Sequence, residues 1–406
     1  MMPRPEPLLV LLASLLLAWP ASCANPVLLP VAKDAATSLY TVPIRDDATH
    51  VIDLAGPLVW STCAADHLQP PFACNDTACR HANAYRAPGC RAAGRRCEGH
   101  CTAYPYNPVS GQCAAASLVH TRLIANTTDG RHPLSQVSVK AVAACAPKKL
   151  LPSLPSGATG VAGLASSRLA LPAQVAASQG DPKKFLLCLP RRGEGAAIFG
   201  GDAFFLPESG ADNLASKLAY TPLHSRKDNP LYYVSVQGVA VNQSPVQLPA
   251  HALATGGVVL CTRVPYTALR PDVYRPLVDA FERALARSDA KVPAMAPFEL
   301  CYKASMLGNT KLGYAVPEIT LELEGGAKWS FTGSSSMVDV SSTTACFAFG
   351  EMKGVKPGDA GVPAVVVGGF QMENYLLQFD LEKQQLGIAR VPFFTACSNF
   401  NFTKSY

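Results

Sequence analysis

Beyond residue 24 no stretch of this chain reaches 18 apolar residues without interruption, which leaves no candidate for a membrane-spanning helix. Charge is sparse too: Asp, Glu, Lys and Arg make up 16% of the 406 residues and leave a net charge of only +6. The basic residues form no run. Arg95-Arg96, Lys148-Lys149, Lys183-Lys184 and Arg191-Arg192 are isolated doublets that read as solvated loops or processing sites, so no face for nucleic acid results. Metal-ligand spacing is thin, since Cys74 and Cys79 with His67 or His81 are the grouping that comes nearest, and bridge formation outranks it in a cysteine-rich secreted chain. Nothing calls for a cofactor, and nothing points to a homo-oligomer; a monomer is expected.

What is present points to secretion and to strands. Leu8 to Trp19 is an apolar run of signal-peptide length, with Arg4 before it and Ala21, Ser22, Cys23 and Ala24 after it, so residues 1–24 are expected to be cleaved. Of 14 cysteines, Cys23 then leaves, and an odd number remains. Cys261 is the expected free thiol and the other twelve form six bridges. Eight of these crowd into one region: Cys63, Cys74, Cys79, Cys90, Cys97, Cys101, Cys113 and Cys145, whose connectivity spacing leaves open. Cys301 and Cys346 suit a local bridge, and elimination leaves Cys188 with Cys397. Short β-type runs punctuated by Pro, Gly and Asn fill the chain, among them Val31 to Val42, Ala48 to Asp53, Val137 to Ala144, Val362 to Val367 and Tyr375 to Asp380. Two helices are expected. One opens at Arg270-Pro271-Asp272 and buries Val273, Leu277, Val278, Phe281 and Leu285, and a shorter one runs from Leu171 to Ala177 with Pro172 at its start.

An internal repeat organises the rest. Val51-Ile52-Asp53-Leu54-Ala55-Gly56 is followed, 110 residues after Asp53, by Gly163 in an apolar run. Val258-Val259-Leu260-Cys261-Thr262-Arg263 is followed, 107 residues after Cys261, by Gly368 in another. An apolar strand ending in glycine can pass tightly behind a loop, because glycine tolerates close backbone approach. The two corners therefore read as the paired strand-to-loop turns of an aspartic protease, where two carboxylates sharing one proton do the chemistry. Here the second corner carries cysteine.

The longer strings Val51 to Cys63, Cys101 to Gly111, Ala125 to Gly130, Thr159 to Leu164, Leu253 to Gly257, Leu269 to Leu277 and Ser336 to Val340 resemble the TAXI-type xylanase inhibitors of cereals, over about Leu39 to Cys397. The resemblance implies an all-β, bilobal pepsin-like aspartic protease fold: two β-barrel-like lobes, few short helices and six disulfides. The expected division is residues 25–217 for an N-terminal lobe with a Cys-rich insertion and 218–406 for a C-terminal lobe, meeting near Ala215 to Leu218. It further implies a non-enzymatic inhibitor of secreted microbial endo-β-1,4-xylanases of glycoside hydrolase family 11, serving plant defence. The other reading on the same scaffold is a binding protein for another secreted hydrolase, such as a family 12 endoglucanase, or a basic storage or signalling globulin.

Departures from the protease pattern sharpen this picture. Asp53-Leu54-Ala55-Gly56 stands where an active plant enzyme resembles Asp-Thr-Gly-Ser, losing a hydroxyl that cross-braces the two loops. Arg263 puts a long cation within reach of Asp53, and a carboxylate held by a guanidinium is a poor base. Cys261, beside an aspartate and without a histidine placed near it, reads as an inert space-filler. In the TAXI family the inhibitory plug comes from a loop matching Ser305 to Asn309, with Leu307 as the inserted leucine, and from the segment Arg390 to Cys397. Potent members place a histidine where this chain has Phe393, followed by Phe394 and Thr395. Phenylalanine stacks on aromatic walls but cannot hydrogen-bond a carboxylate. Asn75, Asn126 and Asn401 head sequons for N-glycosylation.

Overall fold

The computed structural model describes residues 25–45, 48–63, 71–85, 90, 99–226 and 229–403. The expected signal segment, His67, Arg95-Arg96 and Cys97 lie outside these residues. Strands dominate, as the period-2 runs predict, and among the described residues no helix is long and apolar enough to cross a membrane.

A single antiparallel sheet joins the early and late parts of the chain. Its order is Ala219–Arg226, Gln385–Arg390, Tyr375–Asp380, Lys184–Cys188, Glu194–Phe199 and Val27–Lys33. The join runs through Tyr375–Asp380 against Lys184–Cys188, where Leu377 faces Leu187 and Phe379 faces Phe185. The Phe185 and Phe379 rings stack at 4.6 Å, and Tyr232 tilts against Phe379 at 5.0 Å. Each of these side chains is buried, so burial of aromatic and aliphatic area along this seam fixes one half of the molecule on the other.

The repeat anticipated from spacing takes physical form as two parallel strand pairs. Ala48–Asp53 pairs with Ala158–Gly163, with Asp53 opposite Gly163, and Val258–Leu260 pairs with Val365–Val367, after which the Cys261 amide donates to the Val367 carbonyl at 3.0 Å. A Cβ on Gly163 would come within 2.3 Å of the Gly56 carbonyl oxygen, and one on Gly368 within 2.4 Å of the Tyr266 backbone. Only glycine permits that approach.

Some expectations change in detail. The run from Val31 to Val42 is two strands, Val27–Lys33 and Tyr40–Arg45, because Asp34 accepts hydrogen bonds from the Thr37 amide and hydroxyl and turns the chain between them. The late run is strand only over Val365–Val367. The long helix spans Pro271–Leu285 and ends at Ala286 in the left-handed region, φ +50°. Its buried face holds Tyr274 in addition to Val273, Leu277 and Phe281, while Val278 and Leu285 sit at the core's margin. The shorter helix spans Leu171–Gln179, and a further helical turn at Thr77–Ala82 carries Cys79.

Bridges join Cys63 to Cys145, Cys79 to Cys101, Cys90 to Cys113, Cys188 to Cys397 and Cys301 to Cys346. Cys74 is also oxidised, and Cys261 is free and buried.

Arg270 caps the long helix with its side chain wholly buried. It donates to Asp272 through Nε at 2.6 Å and Nη2 at 2.8 Å, and to the carbonyls of Ala252, Thr255 and Asp359. Burial alone would raise the Asp272 pKa; the guanidinium and backbone donors outweigh it and hold the carboxyl below its ordinary value. The stabilisation from this ionised pair is therefore complete above the usual aspartate pKa and is lost as pH falls through the depressed folded value. Removing the guanidinium leaves the carboxylate without its counter-ion and takes a donor from three carbonyls. Arg270→Met is expected to lower unfolding free energy by about 3–5 kcal/mol, read from the urea midpoint at neutral pH.

Candidate functional site

The two corner loops meet at the centre of the molecule. Thr262, 1% exposed, donates its hydroxyl to the Ile52 carbonyl at 2.9 Å and accepts from the Leu54 amide at 3.2 Å. The bracing hydroxyl missing from the first loop thus survives on the second, and a single threonine ties both. Behind them the Leu164 amide donates to the Asp53 carbonyl at 2.8 Å.

Asp53 is 1% exposed, and its oxygens are taken up locally. Oδ1 accepts from the Ala55 amide at 2.9 Å and lies 3.5 Å from Arg263 Nε, while Oδ2 accepts from the Tyr106 hydroxyl at 3.1 Å. Burial opposes the charge on Arg263, but Asp53 and Cys261 more than compensate and hold the guanidinium pKa above its ordinary value. Burial, reinforced by the Asp53 charge, likewise pushes the Tyr106 phenol far above the tyrosine range. The phenol stays protonated and remains a donor. Tyr106 is itself held by Trp60, whose indole N–H donates to the Tyr106 carbonyl at 3.0 Å. Leu58, Trp60, Tyr85, Tyr104, Pro105 and Tyr106 wall a narrow recess of about 10 Å³ over Asp53. This constellation holds the Asp53 carboxylate in place, and among the described residues that line the recess none is a second carboxylate. The sequence assigned no role to Tyr106 or Thr262; the turn residues Pro105 and Asn107 around the tyrosine were the available sign.

A second surface lies at the end of the chain. Phe393 and Phe394 are 59% and 81% exposed, and Phe394 has φ +67°, a left-handed conformation uncommon for so bulky a residue. The Thr395 hydroxyl donates to the Pro392 carbonyl at 2.7 Å and closes the turn that displays them. The Lys311 ammonium sits 5.3 Å from the Phe394 ring centroid. Leu307 does not join this surface. It ends the 3₁₀ turn Ala304–Met306 at 4% exposure and packs into the core. Arg191 is likewise no free loop cation, because its Nε meets Glu373 Oε2 at 3.1 Å and its Nη2 donates to the Ser334 carbonyl. Among the sequon residues, Asn75 is exposed in a turn, Asn126 lies half-buried on the strand Ala116–Thr128, and Asn401 is half-buried with its Oδ1 accepting from Thr403.

The xylanase inhibitor N-terminal family matches residues 40–201 and the xylanase inhibitor C-terminal family matches residues 231–390. The chain belongs to the xylanase inhibitor family. It is 53% identical to "Chitinase CLP" of Oryza sativa subsp. japonica, over 93% of this chain and 92% of that protein. It is 30% identical to "Probable aspartic proteinase GIP2" of Nicotiana benthamiana, over 93% and 92% of the two chains. The crystal structure of edgp superposes with a TM-score of 0.83 at 28% identity, covering 95% of this chain and all of that one, and the pepsin-like fold expected for the chain is the fold it has.

If Thr262 is the tie between the loops, Thr262→Val should remove both hydrogen bonds and leave a buried amide and carbonyl unsatisfied. A loss of about 1–3 kcal/mol is expected in denaturant unfolding. In the native wild type, Cys261 should resist alkylation and react once unfolded, with mass spectrometry locating the label.

Proposed function

We propose that this protein is a secreted, glycosylated inhibitor of microbial endo-β-1,4-xylanases of glycoside hydrolase family 11, acting in plant defence and without hydrolytic activity of its own. The exposed Phe393–Phe394 turn carries the reading. Two adjacent large apolar side chains held out in a constrained turn, on a protein of this family, suit insertion into a cleft. A retaining xylanase cleft holds two carboxylates flanking the scissile bond. Lys311 beside Phe394 supplies charge of the opposite sign at the rim.

Catalysis by the scaffold itself is disfavoured on chemical grounds. Peptide hydrolysis by this fold needs a pair of carboxylates sharing a proton, and Cys261 stands at the second position. The name of the rice relative raises glycoside hydrolysis instead. That reaction also needs two carboxylates, and Asp53 is already bound by Arg263, Tyr106 and its own loop.

A second reading is supported by Phe393. With no imidazole to reach the enzyme's acids, the turn is suited to stacking against an aromatic-walled cleft, as in inhibition of a different glycoside hydrolase, family 12 endoglucanases being the first to try.

Titration of the purified chain against a family 11 xylanase, a family 12 endoglucanase and an acid peptidase substrate separates the readings. The proposal expects saturable xylanase inhibition, a loss of about tenfold or more in potency for Phe394→Ala, a gain for Phe393→His, and no peptide cleavage. Inhibition confined to the endoglucanase would move the assignment to the second reading. Failure of both wild type and Phe393→His on every glycoside hydrolase would remove the inhibitor assignment.

A further inference from the structure

Beside the phenylalanine turn lies a pocket of about 160 Å³ whose lining includes Arg191, Lys311, Ser334, Asn374, Arg390 and Phe393. Glu373 reaches it as well, but that carboxylate is already spoken for. It is 2% exposed and accepts from Lys33 Nζ at 2.5 Å, the Tyr40 hydroxyl at 2.8 Å and Arg191 Nε at 3.1 Å. The remaining cations are not matched. Arg390 donates to the hydroxyls of Thr332 and Ser334, both at 2.9 Å, and the Lys311 ammonium lies 5.3 Å from the Phe394 ring centroid. Among the described residues neither has a carboxylate within ion-pair distance. A polar pocket that gathers guanidinium and ammonium groups without counter-ions is built for an anion.

The rest of the lining says what kind of anion. Asn374 Oδ1 accepts from the Cys397 amide at 2.9 Å, which leaves its side-chain NH2 to donate, and the Ser334 hydroxyl, which accepts from Arg390, adds a second polar group. The Phe393 and Phe394 rings offer flat apolar faces at the mouth. The space holds several waters' worth of ligand, enough for one compact ring and too little for a chain. A bare phosphate or acetate would leave the rings and the neutral donors unused, and a neutral sugar would leave the cations unused. We propose that this pocket binds a uronic acid, that is, a pyranose bearing a carboxylate. The carboxylate meets Arg390 and Lys311, the ring hydroxyls meet Ser334 and Asn374, and the C–H face of the sugar packs on phenylalanine. Such a group exists free and as a side branch of acidic plant polysaccharides, and both present the same chemistry. The site goes beyond hydrolase inhibition and does not depend on it.

Calorimetric titration of the full chain tests this directly. The ligands are D-glucuronate, a xylo-oligosaccharide branched with glucuronate, the unbranched oligosaccharide, D-glucose and acetate. Saturable binding of one or both uronates is expected, with glucose, the unbranched oligosaccharide and acetate weaker by about tenfold or more, and with affinity falling as salt is raised. Binding of the branched oligosaccharide alone would identify the polysaccharide as the source, and binding of free glucuronate at equal strength would show that the ring suffices. Lys311→Gln, on an exposed hairpin, should weaken uronate binding about tenfold, and Arg390→Gln at least as much. Acetate or glucose binding as well as glucuronate, no uronate binding at all, or unchanged affinity in both variants would overturn the proposal. None of these readouts uses a hydrolase, so failure here leaves the inhibitor reading standing, and the converse holds.

Discussion

The hydroxyl of Thr262 is the point on which the centre of this molecule turns. It is one of few polar groups that reach from one corner loop to the other, and it makes two hydrogen bonds to backbone within three residues of Asp53. Apart from this hydroxyl and the Arg263 guanidinium against Asp53, each corner is supported from its own side, by a parallel strand and a glycine passing close behind. Hydrogen bonds of this kind contribute modestly when formed and cost more when one partner is left buried alone. The asymmetry explains why one surviving threonine is enough to keep both loops in register while the partner position has become Leu54, buried and apolar.

That geometry decides what can become of Asp53. A carboxylate at 1% exposure must be paired or neutralised. In a protease a second carboxylate sharing a proton would meet that need and supply the chemistry. Here an arginine two residues beyond the second corner, a tyrosine hydroxyl and a loop amide meet it by holding the charge still. The same interactions occupy the oxygens that a shared proton would need. Structural satisfaction and catalytic competence pull in opposite directions at this position.

How far the sequence could be read follows from which physics leaves a local trace. The corners were legible because a parallel strand ending in glycine imposes apolar residues and a small residue at fixed places, as at Val161 to Gly163 and Val365 to Gly368. The bridges Cys188–Cys397 and Cys301–Cys346 were legible from counting. Contacts between segments far apart in sequence left no such trace. Thr262 looks like any loop threonine, and its partners lie 210 and 208 residues away. Arg191 looked like half of a solvated doublet because its partner Glu373 is 182 residues distant. The burial of Leu307 left no trace for a different reason: a matched motif carries residue identity but not exposure, and here the residue that ends the 3₁₀ turn is packed in the core.

The same contrast between local cost and remote purpose applies to the phenylalanine turn. A phenylalanine at φ +67° costs of order 1–3 kcal/mol in backbone strain, and its ring at 81% exposure gains little from burial in return. Among the described residues, Lys311 over the ring returns only about 0.5–1 kcal/mol at an exposed site. The turn is nevertheless well anchored. Cys397, two residues beyond Thr395, is bridged to Cys188 in the central sheet, and the Thr395 hydroxyl locks the chain onto Pro392. A costly conformation held by rigid supports, with its apolar product facing water, is what preorganisation for a partner looks like. The ordering entropy that association would otherwise demand of a loose loop has already been met during folding, and the surface that results joins backbone strain to exposed aromatic area.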